Sequence, residues 1–454
     1  MAIIASTLAT IKSAPLALLG GAARVNECFA GVGYTWRPRL LDPARTMKMF
    51  ILQVLHGNTA ISHLRQLSEE GAADSSYCAA RARLPVAGIA AAVDLLCGND
   101  IGNNQRTRQW LGRRVLIADA TSALMPDASA LQQLWPQHSS QKPGCGFPVV
   151  KLLGLMDVVT GMILHVTMMA MNVHEYSQMA GAHAVLRCRD VLLADRGFCS
   201  FAHLAMLAAV SVDAVFRMHQ RQIVNFTPGR AHRGKAAKKY KRGVPASRFV
   251  RSLGKEDQVV EWVAPVNQPS WMTDAQFAAL PGTIRVRELR YRITAKGRRT
   301  RWVTIAATLL DPIAYPKDEI AKLYGLRWEI ETNFRHLKTT MGMEHLKCQS
   351  PEGVMKELMV FVLVYNMVRG VMVPAAARQG IADANRMSFV DALRWLRSQA
   401  VKVPTGILLE LIINAKRPGR WCPRVKKRRM KPYDLMNKPR AKYTEPVENE
   451  GVEA

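Results

Sequence analysis

Four side chains between residues 324 and 338 have chemistry that packing alone does not explain: Tyr324, Arg327, Glu331 and Lys338, in the stretch YGLRWEIETNFRHLK. Their successive separations of 3, 4 and 7 residues keep them within a window of about 60° on a helix that turns roughly 100° per residue. Arg335 falls on the same stripe. One helical face would therefore carry a phenol, a guanidinium, a carboxylate and an ammonium. A carboxylate flanked by cations suits metal-dependent phosphoryl transfer, in which the acid holds a divalent ion and the cations grip neighbouring phosphates. Taken alone, the stripe also fits a solvated face with an i,i+4 Arg–Glu pair.

Two further acids change that balance. Asp119 closes the apolar run of RRVLIADAT (113–121), and Asp195 closes that of VLLADRGF (191–198). Both runs are short and apolar, as expected of buried strands. In open α/β sheets, functional groups collect at the carboxyl ends of strands. If the two strands are neighbours, their carboxylates repel unless a cation neutralises them, and Mg²⁺ is the expected one because it prefers hard oxygens. Glu331 would complete a three-carboxylate pocket for two metals, one activating the attacking oxygen and the other stabilising the leaving oxygen. Asp157, Asp190 and Asp311 read as turn residues, and Asp127 as an outer acid close to Asp119.

These groups need elements to position them, and the predicted order from 106 to 219 is strand, hairpin, helix, strand, helix, strand. VVKLLGLMDVVTGMILHVTMM (149–169) is two β-rich runs about a turn with Asp157 and Gly161. HEYSQMAGAHAVLRCR (174–189) and SFAHLAMLAAV (200–210) have helical periodicity, and DAVFRMH (213–219) is another strand. Alternation of this kind points to an α/β sheet with helices against it. Residues 220–301 break the pattern: a basic segment (230–255) is followed by short β-like pieces, the last a hairpin turning at Lys296–Gly297. This region reads as an inserted, mainly β subdomain with a positive face. The apolar run VTIAATLLD (303–311) returns the chain to a second core part (302–370) that ends with the opening helix.

Flanking these are two helical regions. Residues 1–105 are Ala- and Leu-rich, with recurrent Arg37, Arg39, Arg45, Lys48, Arg65, Arg81 and Arg83, and suit a small DNA-contacting domain. The polar stretch 98–108 reads as a linker. Residues 371–454 are helical and then strongly basic, with many Lys and Arg and no acid over 411–433, as in a phosphate-binding tail. The final EPVENEGVEA is acidic, with the composition of a disordered end.

Composition narrows the partner. A count of 63 Lys+Arg against 35 Asp+Glu over 454 residues leaves a formal net charge of +28, which calls for a polyanion. An anionic membrane is the weaker candidate. The longest apolar run, 358–374, is interrupted by Asn366 and Arg369, and fails the test of roughly 18 uncharged residues. The N-terminal MAIIASTLATIKSAPLALLGGAA lacks a basic leading region and carries Lys12 in its apolar part, so it reads as a helix rather than a signal peptide. The eight Cys residues form no CxxC pair, as in a cytoplasmic protein with reduced thiols.

The spacing Tyr-x2-Arg-x3-Glu-x6-Lys at 324, 327, 331 and 338 matches without gaps the Y-R-E-K signature of a large family of bacterial insertion-sequence DDE transposases. Asp119 in DAT and Asp195 in ADRGF resemble that family's first and second catalytic aspartates. The resemblance implies an RNase-H-like mixed sheet with helices, interrupted by a β insertion between the second Asp and the Glu. It also implies cut-and-paste transposition with Mg²⁺ (Mn²⁺ substituting): strand cleavage at element ends, a hairpin made by the freed 3′-hydroxyl, its reopening, and insertion into target DNA. By that likeness Arg327 and Lys338 bind end phosphates, with Arg335 beside them, and Tyr324 contacts the backbone at the hairpin. Trp302, 22 residues before Tyr324, is similar in position to the family's Trp that stacks on a flipped-out base. Trp328, near the edge of the stripe, reads as core. The expected partners are double-stranded DNA, both inverted-repeat ends and target, and a second copy in a homodimeric synaptic complex. Two other readings stay open: an RNase-H-like nuclease, and a non-catalytic DNA-binding repressor descended from a transposase.

Overall fold

The computed structural model describes residues 15–38, 40–68, 70–98, 109–232, 244–293, 301–398, 410–414 and 433–444. The expected linker at 98–108, the hairpin turn at Lys296–Gly297, most of the 411–433 basic run, the acidic end and the first fourteen residues fall wholly or mainly outside these.

The N-terminal region is helical, with α1 (Ala22–Gly31), α2 (Pro43–Leu55), α3 (Asp74–Arg83) and α4 (Val86–Gly98). Asp42 starts α2 by accepting from the Arg45 backbone N–H, ahead of a proline in the first turn, where the lost proline N–H costs nothing. Several of the basic residues flagged here are occupied internally. Arg45 and Lys48 both reach Glu70, Arg65 pairs with Asp74, and Arg81 bonds Gln53 and lies over the Phe50 ring.

Nine strands follow, forming one sheet of order β3-β2-β1-β4-β5-β9-β8-β7-β6 among the described residues. They are β1 (Val115–Leu124), β2 (Val149–Asp157), β3 (Ile163–Ala170), β4 (Val191–Ala194), β5 (Asp213–Arg217), β6 (Ser247–Gly254), β7 (Asp257–Val263), β8 (Thr283–Ile293) and β9 (Arg301–Ala307). The β2–β3 hairpin sits where the sequence expects it, with Asp157 accepting from the Thr160 N–H in the turn. β1 pairs antiparallel with β2 and parallel with β4, and β4 pairs parallel with β5. The helices α5 (Glu175–Ala182) and α6 (Phe201–Ala209) connect these strands. Ser200 caps α6 by accepting from the His203 N–H.

The inserted strands continue the core sheet: β9 pairs with β5 on one side and β8 on the other, so β6–β8 prolong it. The hairpin's second arm and the returning core run are also a single strand, β9, which ends at Ala307 rather than near 311. A buried ion pair stiffens the junction. Arg287 of β8 binds both oxygens of Asp257 on β7, at 2.8 and 2.6 Å, and donates to the Tyr315 carbonyl.

The region that opened the sequence argument is not one uninterrupted helix. α7 (Lys317–Gly325) and α8 (Trp328–Arg335) are joined through Leu326 and Arg327, where Leu326, Arg327 and Glu329 each donate to the carbonyl three residues back. That pattern is a locally tightened, 3₁₀-like turn. A π-helical turn, His336–Thr340, then carries Lys338. Then come α9 (Pro351–Arg378) and α10 (Phe389–Arg397).

Helix α9 is long and apolar enough to cross a membrane, yet 89% of its most apolar window is buried inside the fold. The polar residues that interrupt it bind the β2–β3 hairpin. Asn366 accepts from the Ile163 N–H and donates to its carbonyl, and Arg369 donates to the Thr160 carbonyl. Gly161, at φ +67°, leaves the space the Arg369 guanidinium fills. A side chain there would collide with it and strain the backbone.

Candidate active site

Strand alternation decides which way the acids point. In β1, Val115 and Ile117 pack into the core beneath α7–α9, and in β4 Val191 and Leu193 do the same. Asp119 and Asp195 continue those series two residues on, so both lie on the face that meets α7 and α8. The parallel pairing aligns Ala118 with Ala194, which sets the two aspartates side by side at adjacent strand ends. Across the other edge of β1, Asp119 is opposite Gly154 of β2. A Cβ at Gly154 would stand 3.0 Å from the Phe334 ring, so its absence lets α8 come close to the sheet.

The helical segment closes over these carboxylates. Arg327 is 4% exposed and donates to Glu331 Oε1 at 2.9 Å and to Asp119 Oδ2 at 3.4 Å, while its plane lies 4.8 Å from the Trp328 ring centre. Its Nε is buried and has no hydrogen-bond partner among the described residues. Tyr324 is buried and donates to Asp195 Oδ1 at 3.4 Å. The i,i+4 Arg–Glu pair of the bland reading is therefore real, but its arginine is buried against a strand-end aspartate rather than solvated. Arg217, at the end of β5, comes within 3.8 Å of the same Asp195 oxygen. The sequence reading missed Arg217 and Gly154, although DAVFRMH ends a third parallel strand at the same edge of the sheet.

The electrostatics follow from burial. Desolvation pushes the Asp119 carboxyl from an ordinary 3.8 up to about 6, against the opposing effects of the Ala120 N–H and Arg327. Glu331 and Asp195 repel it further. Burial likewise raises the Tyr324 phenol, which stays a neutral hydrogen-bond donor. Burial works against the Arg327 charge, but Tyr324, Asp195, Asp119 and the bond to Glu331 outweigh it and hold the guanidinium above its ordinary range.

Three hard carboxylates from two strand ends and a helix, one of them short of compensating positive charge, are a donor set that fits a divalent cation. Among the described residues no three acids already stand close enough to hold one, and Arg327 lies between Asp119 and Glu331.

Not every expected residue is gathered here. Arg335 is exposed on α8, and Lys338 is half-buried on the π turn that follows. Trp302 is 54% exposed near the start of β9. It alternates with Thr304 and Ala306, so it points from the sheet face opposite to the acids. Asp127 bonds Gln132 and Arg440. Asp190 pairs with Arg114, and Asp311 accepts from the Ile313 N–H in a turn.

The chain is similar to the transposase InsG for insertion sequence element IS4 of Escherichia coli (strain K12), at 24% identity over 289 residues, or 62% of this chain. It spans 58% of that relative's length. Among solved structures it is similar to the cryo-EM structure of the piggyBac transposase synaptic complex with hairpin DNA, with a TM-score of 0.42 and 11% identity over 86% of this chain and 80% of that one. Residues 110–367, more than half of the chain and spanning β1 to α9, match the transposase DDE domain, and the chain belongs to that family.

Proposed function

We propose that this protein is a DNA transposase that moves its insertion sequence by cut-and-paste, with Asp119, Asp195 and Glu331 as its catalytic acids. The observation that carries the reading is the parallel β1–β4 pairing, which sets Asp119 beside Asp195 beneath the helix bearing Arg327 and Glu331. The half-sheet β3-β2-β1-β4-β5 would be the RNase-H-like core, and the divisions at 105, 219, 301 and 370 the domain limits.

The three carboxylates would hold Mg²⁺, or Mn²⁺ in its place, whose charge supplies activation of the attacking oxygen and stabilisation of the leaving one. The chain's own residues do the rest. Tyr324, a neutral donor, orients Asp195 and, by the family likeness, would contact the DNA backbone at the hairpin. Arg327 keeps Asp119 and Glu331 together despite their like charge and would bind an end phosphate. Lys338 and Arg335, further along the helical segment, would grip phosphates beyond it. The exposed indole of Trp302 offers a stacking surface for an unpaired base during hairpin formation. Joining two ends requires two active sites, and a homodimer is the simplest synaptic assembly.

The test is cleavage in vitro of DNA carrying the flanking inverted repeats, with Mg²⁺ or Mn²⁺. Wild type should give 3′-nicked and then hairpinned ends, and Glu331→Ala neither. Tight binding without cutting would overturn the enzymatic reading. Nicking of branched DNA regardless of the repeats would replace transposition with a nuclease function.

A further inference from the structure

At the opposite ends of the same parallel strands lies a second basic feature. A crevice of about 490 Å³ opens where β4 and β5 begin, lined by Arg113, Arg189, Ser211, Asp213, Arg285 and Tyr315 among others. Its floor is fixed. Arg113 is 5% exposed and is fully engaged, with Asp213 at 2.6 Å, the Arg189 carbonyl at 2.8 Å and the Tyr315 hydroxyl at 3.2 Å. Asp213 thus cancels the charge of Arg113, while Arg189 and Arg285 are exposed on the walls and leave the crevice about two charges positive.

The backbone at this mouth is unusual. Arg189 and Ser211 have φ of +69° and +57°, a region costly for residues other than glycine. They are tied together by the Arg189 N–H donating to the Ser211 carbonyl at 2.8 Å. Two strained residues bonded to each other on one rim hold the Arg189 side chain at the crevice rather than leaving it on a free loop.

We propose that this crevice is a second DNA-backbone site, in which Arg189 and Arg285 take a phosphate well away from the reacting strand. The occupant rests on the transposase reading above and on the chain's +28 charge. From Arg189 to Asp195 is six residues of nearly extended chain, or about 20 Å at roughly 3.3 Å per residue. That equals some six phosphate steps at about 3.4 Å along one strand. The contact would therefore need DNA reaching at least that far past the cleavage point.

The experiment measures the salt dependence of binding to a long duplex ending in an inverted repeat, by fluorescence anisotropy with the full chain. Each phosphate contact contributes about −0.9 to the slope of log K against log salt. Arg189→Gln with Arg285→Gln should flatten the slope by one to two units. Metal-dependent cutting at saturating protein should persist, as should the melting temperature. The charge-matched control Arg24→Gln with Lys322→Gln should leave the slope alone, because each cation is already paired with a glutamate three residues away on its own helix. Arg189→Lys with Arg285→Lys should restore most of it. An unchanged slope in the double Gln variant, or an equal loss in the control, overturns this site while leaving the active-site reading intact. A wild type without salt-dependent DNA binding overturns both.

Discussion

At the scale of single residues, Asp119 carries the clearest consequence. Its folded-state value of about 6 stands above the ordinary 3.8. The folded protein therefore keeps a proton through the window from pH 4 to 6 that the unfolded chain releases. Stability owed to this group is present below pH 4 and is lost as pH rises toward 6, by up to about 3 kcal/mol at 1.36 kcal/mol per unit. Asp119→Asn should remove that loss. The difference in urea midpoint between variant and wild type, without divalent ions, should grow in the variant's favour from pH 4 to pH 7. A difference that does not change with pH would refute the account. Mn²⁺ should raise the wild-type midpoint at pH 7 and raise that of Asp119→Asn much less. These effects were beyond the sequence, because DAT shows an acid at a strand end but not how deeply α8 covers it.

At the scale of elements, the sequence was most legible where periodicity and punctuation agree. The β2–β3 hairpin, α6 and the strands ending at Asp119 and Asp195 lie where apolar runs and turn residues put them. It was least legible in the 324–338 segment, because hydrophobic spacing cannot distinguish an even helix from one tightened at Leu326–Arg327 and widened at 336–340. Gly154 is equally silent in sequence, yet its missing side chain sets how close α8 stands to β1. Gly154→Val should push against Phe334 and destabilise by about 1–3 kcal/mol, as overpacking does. DNA cutting should fall by more than the unfolded fraction explains, which parallel denaturation and cleavage assays would show. Arg287→Met should cost about 3–5 kcal/mol, since it strands the buried Asp257 carboxylate. Thermal denaturation would detect it, and a cost under 1 kcal/mol would mean that Asp257 finds another partner.

At the scale of the whole molecule, composition spoke plainly for a polyanionic partner, but only topology shows how the parts are joined. The basic 220–301 stretch looked separable because its hydrophobic pattern breaks, whereas pairing between strands distant in sequence is invisible to any local pattern. Val215, Phe216 and Arg217 of β5 pair with Ala307, Ala306 and Ile305 of β9, and Arg287, Glu288 and Leu289 of β8 pair with Ala307, Ala306 and Ile305 from the other side. Amides of β5 and β8 should accordingly exchange with deuterium as one cooperative unit. Separate opening of β8 would contradict a shared sheet. Mechanically, β9 is then a rigid crossbar. The strand that presents Trp302 to solvent is laced to β5, whose last residue, Arg217, touches Asp195. If a base stacks at Trp302, a pull on it would be borne by the same continuous sheet that carries Asp119 and Asp195 at its strand ends. The two stations would then keep a fixed separation through every step, and the DNA would have to bend to span them.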